Sequence, residues 1–165
     1  MTTTRPEPVP TGSPRVTERL VRVLSRSGIG LLRISLGLTF LVFGALKFVP
    51  GLSPAEPLVV RTLDILSLGL LPPTPALLLT AVLESFVGLT LITGKWLRAG
   101  LVVLAGAMVG ILSPLVLLAG DLIADGPTLE AQYVFKDIVL VAAALVVAAR
   151  ALGARLVPPP SISGD

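Results

Sequence analysis

The chain is expected to fold as an all-α membrane protein, a bundle of four transmembrane helices with an interfacial helix between the first two. Three observations carry this. Hydrophobic residues make up 53% of the 165 positions and charged residues only 14%, too little polar surface for a water-soluble domain of this size. Four apolar stretches each approach the roughly 20 residues needed to cross a hydrocarbon core. The few charges inside them recur at helical spacing, as a packed bundle interior requires.

Residues 1–14 are rich in Thr and Pro with no apolar face, and read as a disordered tail. From 15 to 27 the pattern changes. Arg15, Arg19, Arg22 and Arg26 recur at helical spacing beside Val16, Leu20, Val23 and Leu24, which predicts a basic amphipathic helix on the membrane surface. The following apolar run is too long for a secretory signal, contains Arg33 and lacks a small-residue cleavage site.

A four-span domain then covers 28–153, with spans at Gly28–Val49, Pro75–Thr93, Ala99–Gly120 and Gln132–Leu152, and a flexible tail over 154–165. Between the first two spans, the proline-bounded segment holding Arg61 and Asp64 is too short to cross. It reads as an interfacial or re-entrant helix. Lys and Arg gather near the N-terminus, at Lys95 and Arg98, and at Arg150 and Arg155. The connection from the third span to the fourth holds Asp121, Asp125 and Glu130 with no basic residue. The positive-inside rule therefore places both termini in the cytoplasm. Trp96 and Tyr133 suit aromatic belts at opposite faces.

On the first span Arg33, Gly37, Phe40, Gly44 and Lys47 form one stripe at steps of four and three. Its glycines admit a close neighbour, so the stripe faces the bundle. Arg33, near one end, can snorkel to lipid phosphates, and Lys47 near the other end has the same escape. Glu84 sits in mid-span, with Gly88 one turn on. A carboxyl there either pairs with a cation or holds its proton. Gly106 and Gly110 offer a GxxxG contact face and Pro114 a kink. In the fourth span Gln132 and Lys136 share one face, Tyr133 and Asp137 the next. Lys47, Glu84, Lys136, Asp137, Gln132 and Tyr133 thus form the intramembrane polar cluster, whose four charges sum to zero. A network that only fixes helix register and a site for a proton, an ion or a polar head both stand at this point.

Cysteine and histidine are absent, so no thiol, Cys- or His-ligated haem, iron–sulfur or His/Cys metal site arises from this chain alone. No metal site, redox centre or catalytic nucleophile is recognisable; any part in an oxidoreductase is that of a subunit. The basic residues lie beside a span, which points to anionic lipid and away from nucleic acid.

These same stretches, LLRISLGLTFLVFGALKFVPG, the Glu84 helix followed by GKWLRAGLVVLAGAMVGILSPLVLL, and QYVFKDIVLVAAALVV, resemble the DoxX-like superfamily of small bacterial four-helix membrane proteins. Within it the chain looks closest to the RclC/YkgB group, named for reactive chlorine resistance. The likeness covers about residues 29–150, and Arg33, Gly44, Lys47, Phe48, Glu84, Pro114, Lys136 and Asp137 match the group's pattern by position. The N-terminal tail does not, and the connection before the second span is shorter than the group's. The resemblance implies a multi-pass protein of the bacterial plasma membrane tied to redox balance or oxidative stress: a non-catalytic subunit or anchor for a redox partner protein, with quinone as its cofactor. The alternatives are a lipid-binding scaffold and a small proton-coupled transporter using Glu84, which would need a homo-oligomer for alternating access.

Overall fold

The computed structural model describes residues 14–123, 126 and 128–154; the expected tails, apart from Pro14 and Ala154, and Asp125 lie outside the described residues. Seven helices lie among the described residues: α1 (Pro14–Leu46), α2 (Glu56–Leu66), α3 (Pro73–Thr93), α4 (Leu97–Leu112), α5 (Pro114–Leu117), α6 (Ala119–Ile123) and α7 (Leu129–Ala151). Among the described residues, three segments are long and apolar enough to cross a bilayer: Arg19–Leu46, Pro73–Thr93 and Leu97–Leu117. The long helices form a ring in which α1 packs on α3, α3 on α4, α4 on α7 and α7 back on α1, while α2 lies against α3, α4 and α5 at one end.

Residues 15–27 are not a separate surface helix. α1 runs unbroken for 33 residues, about 50 Å at 1.5 Å per residue. Gly28 and Gly30 weaken the helix locally, but no proline removes a donor, and the Ser25 hydroxyl donates back to the Val21 carbonyl. The helix ends at Leu46, short of the expected Val49, in a series of tight turns beginning with the Lys47 amide on the Gly44 carbonyl.

Glycine sets the α1–α3 distance. A Cβ added at Gly88 would stand 2.6 Å from the Leu41 amide nitrogen, and one at Gly44 would stand 2.8 Å from that of Ser85. Only hydrogen fits at those two positions. Opposite this seam, Leu31, Ile34, Leu38 and Val42 form an exposed apolar stripe, which is the lipid-facing side of a membrane helix.

α3 begins on Pro72–Pro73, where a missing N–H costs nothing, and ends at Gly94 with φ 72°. The third span, expected over Ala99–Gly120, runs over Leu97–Leu117 and is interrupted before Pro114. α4 stops at Leu112 because Pro114 has no N–H to offer the Gly110 carbonyl; the Ser113 hydroxyl donates to that carbonyl instead, at 2.7 Å. Short α5 and α6 then turn the chain toward α7, whose first turn is capped by Thr128 accepting from the Ala131 amide.

Candidate functional site

Lys47 and Glu84 meet between α1 and α3. The Lys47 ammonium donates to Glu84 Oε2 at 2.6 Å and to the Phe43 carbonyl at 3.3 Å. Both residues are buried, at 3% and 8% exposure, so neither charge has water to fall back on. Lys47 therefore does not snorkel. The absence of a side chain at Gly44 makes the pair geometrically available, because a Cβ there would stand 2.9 Å from that of Glu84.

The pair forms part of the wall of a partly open cavity of about 280 Å³ lined by α1, α2, α3, α4 and α7. Most of the lining is apolar, from Phe40, Phe43, Leu58, Leu83, Ile111 and Leu140. At its α7 wall the Lys136 ammonium lies 4.1 Å from the Phe43 ring centroid and 4.9 Å from that of Tyr133. The two rings meet edge to face at 6.4 Å. Rings so placed hold a cation through their electron-rich faces. Asp137 Oδ1 is 3.9 Å from Lys136, at the outer limit of an ion pair.

Lys47, Glu84, Tyr133, Lys136 and Asp137 are thus brought to one cavity. Gln132 is exposed and does not line it; one helical position turns it away from Tyr133. Gly37, Gly44 and Gly88 lie in the α1–α3 seam. Gly106 and Gly110 do not form the expected helix contact. No atom stands within 4 Å of a Cβ at either, and both line the cavity, where their missing side chains leave space. Pro114 is buried and also lines it. Arg33 sits elsewhere, half-buried, its guanidinium against Gly94 at the carbonyl end of α3, where a helix favours a cation.

Sequence reasoning missed Phe43 and Thr62. Phe43 stands one helical turn before Lys47, so it shares the stripe that carries the lysine. Thr62 follows Leu58 by one turn of α2, and these are the two buried positions of that helix. The threonine is 4% exposed, and its hydroxyl oxygen is buried without a hydrogen-bond partner among the described residues. On the outer surface Arg61 of α2 pairs with Asp121 of α6, both more than half exposed.

No curated protein and no solved structure matches the chain. The family model described as DoxX matches residues 28–119, over half the sequence, from Gly28 of α1 through α3 and α4. Apolar helices of spanning length and this match lead to one conclusion: the chain is a membrane protein and belongs to the DoxX family.

Proposed function

We propose that this protein is a non-catalytic membrane subunit or anchor of a redox or oxidative-stress system, holding the head of a quinone-type lipid among its helices. The observation that carries the reading is the cavity: apolar and aromatic walls, a polar rim, and a place inside a bundle of membrane helices. Its volume lies just under the range of about 300–1,000 Å³ usual for drug-sized ligands, so it suits a single ring with the lipid tail outside. Phe40, Phe43 and Tyr133 supply faces on which a ring can stack. A bound quinone would supply two-electron, two-proton redox chemistry that these side chains lack.

In this reading α7 is the fourth span. Its 23 residues, its place in the ring and its capped start support that assignment. The positive-inside pattern supports a plasma-membrane topology with both termini in the cytoplasm, and the positions shared with the RclC/YkgB group support membership of that subgroup. The test is mass spectrometry of the tagged protein purified in native lipid particles. Stoichiometric quinone or a redox enzyme is the expected result. A protein that repeatedly arrives alone and quinone-free overturns the reading.

The scaffold reading draws on a different observation, the complete burial of the Lys47–Glu84 pair, which ties α1 to α3 as a register lock would. Glu84 as the proton carrier of a transporter has less support, since its carboxylate is already held by the Lys47 ammonium.

A further inference from the structure

Four charged side chains line the cavity, Lys136 with 41% of its side chain exposed, and their donors are not equally committed. Lys47 spends its ammonium on Glu84 and the Phe43 carbonyl. Thr80 gives its hydroxyl to the Ala76 and Leu77 carbonyls, and Thr39 gives its own to Ser35. Two donors remain. The Lys136 ammonium makes no hydrogen bond among the described residues; it rests on two aromatic faces with Asp137 at 3.9 Å. The Thr62 hydroxyl is buried and unpartnered on the same cavity. Leaving a buried hydroxyl unpaired costs about 1–3 kcal/mol, so an acceptor supplied by a ligand would recover that loss.

We propose that Lys136 from α7 and Thr62 from α2 are the residues that recognise the ligand's head, and that the ligand class is an amphipathic molecule whose ring bears acceptor oxygens. This rests on the quinone reading above and deepens it. Carbonyl oxygens of a quinone are acceptors with no donor of their own, which is the complement of an uncommitted ammonium and an uncommitted hydroxyl. The Lys47–Glu84 pair then shapes the wall, with each charge balanced by the other. The aromatic seat fixes where the Lys136 ammonium stands, so a head that fits the ring space meets a donor already in position. Specificity follows from the same feature: a ring of equal size without acceptor oxygens gains the apolar contacts but leaves Thr62 unpaired.

The experiment measures retention of decyl-ubiquinone by the full chain reconstituted in lipid nanodiscs, with a decylbenzene lacking ring oxygens as the companion probe. Lys136→Met keeps the length and apolar bulk of the side chain; Thr62→Val keeps its shape. Each is expected to weaken decyl-ubiquinone binding about tenfold while leaving decylbenzene retention unchanged, and Lys136→Arg to restore most of the loss. The exposed Lys95→Met should bind as the unsubstituted chain does. Should Lys136→Met fail to fold, the isosteric Thr62→Val carries the test by itself. Retention of decyl-ubiquinone by the unsubstituted chain, with equal retention by both variants, overturns the assignment of Lys136 and Thr62 and leaves the quinone reading standing. No retention by the unsubstituted chain overturns both.

Discussion

Lys47 and Glu84 stand 37 positions apart in the chain, yet their charged atoms meet at 2.6 Å with almost no access to solvent. Removing one partner strands the other's charge in the bundle, whereas removing both leaves an apolar contact. Lys47→Met and Glu84→Leu alone should each destabilise the protein by about 3–5 kcal/mol, and the double variant should regain most of that loss. Thermal unfolding in nanodiscs checks this. Equal losses for the single and double variants would show that the pair is not a closed unit.

Backbone proximity at Gly88 leads to a separate expectation. Gly88→Val should prevent α1 from seating on α3, because the nearest atom to the new side chain is the Leu41 amide nitrogen and not a flexible side chain. A Cβ at Gly106 meets no atom of another helix within 4 Å, so the stability of Gly106→Ala should stay within about 0.5 kcal/mol of the parent. The yield of folded protein after detergent extraction separates the two, and comparable yields would refute the difference.

The exposed Arg61–Asp121 pair should contribute little. Its partners are more than half in solvent, where ion pairs are worth about 0–1 kcal/mol, and Arg61→Ala should lower the unfolding midpoint by no more than a few degrees. A large drop would mean that the pair fastens α2 to the bundle far more firmly than its exposure allows.

Because the sequence has no cysteine, membrane sidedness can be read by single-cysteine labelling without a background. Lys95→Cys should react with an impermeant maleimide only when the cytoplasmic face is open. Leu68→Cys, on a position 87% exposed beside α2, should react from the opposite face. Labelling of both from one side would overturn the proposed topology.

The α1 stripe is legible in the sequence because a helix of fixed pitch converts spacing directly into a face, and Gly37, Phe40, Gly44 and Lys47 are buried together. The short helix α2 is legible from its prolines and its length. What spacing cannot supply is the distance between helices. Lys47 and Glu84 meet because two glycines thin the α1–α3 seam, a tertiary fact with no local signature. For the same reason Gly106–Gly110 reads as a contact motif and yet borders empty space: the motif permits an approach but does not compel one. Gln132 fails differently. It shares a helix with Lys136 and adjoins Tyr133, yet it is exposed while Tyr133 lines the cavity.

The unbroken course of α1 makes it a torsion bar. Its arginine-bearing end and the residue just before Lys47 belong to one hydrogen-bonded rod, so a twist applied at the first is carried toward the second with no break in the helix. At a side-chain radius of about 5 Å, a roll of about 20° displaces atoms by about 2 Å. The Lys47–Glu84 separation is only 2.6 Å, so even that small rotation would pull the pair apart or change its partners. Whatever grips the basic end of this helix therefore has a mechanical hold on the cavity wall at the other.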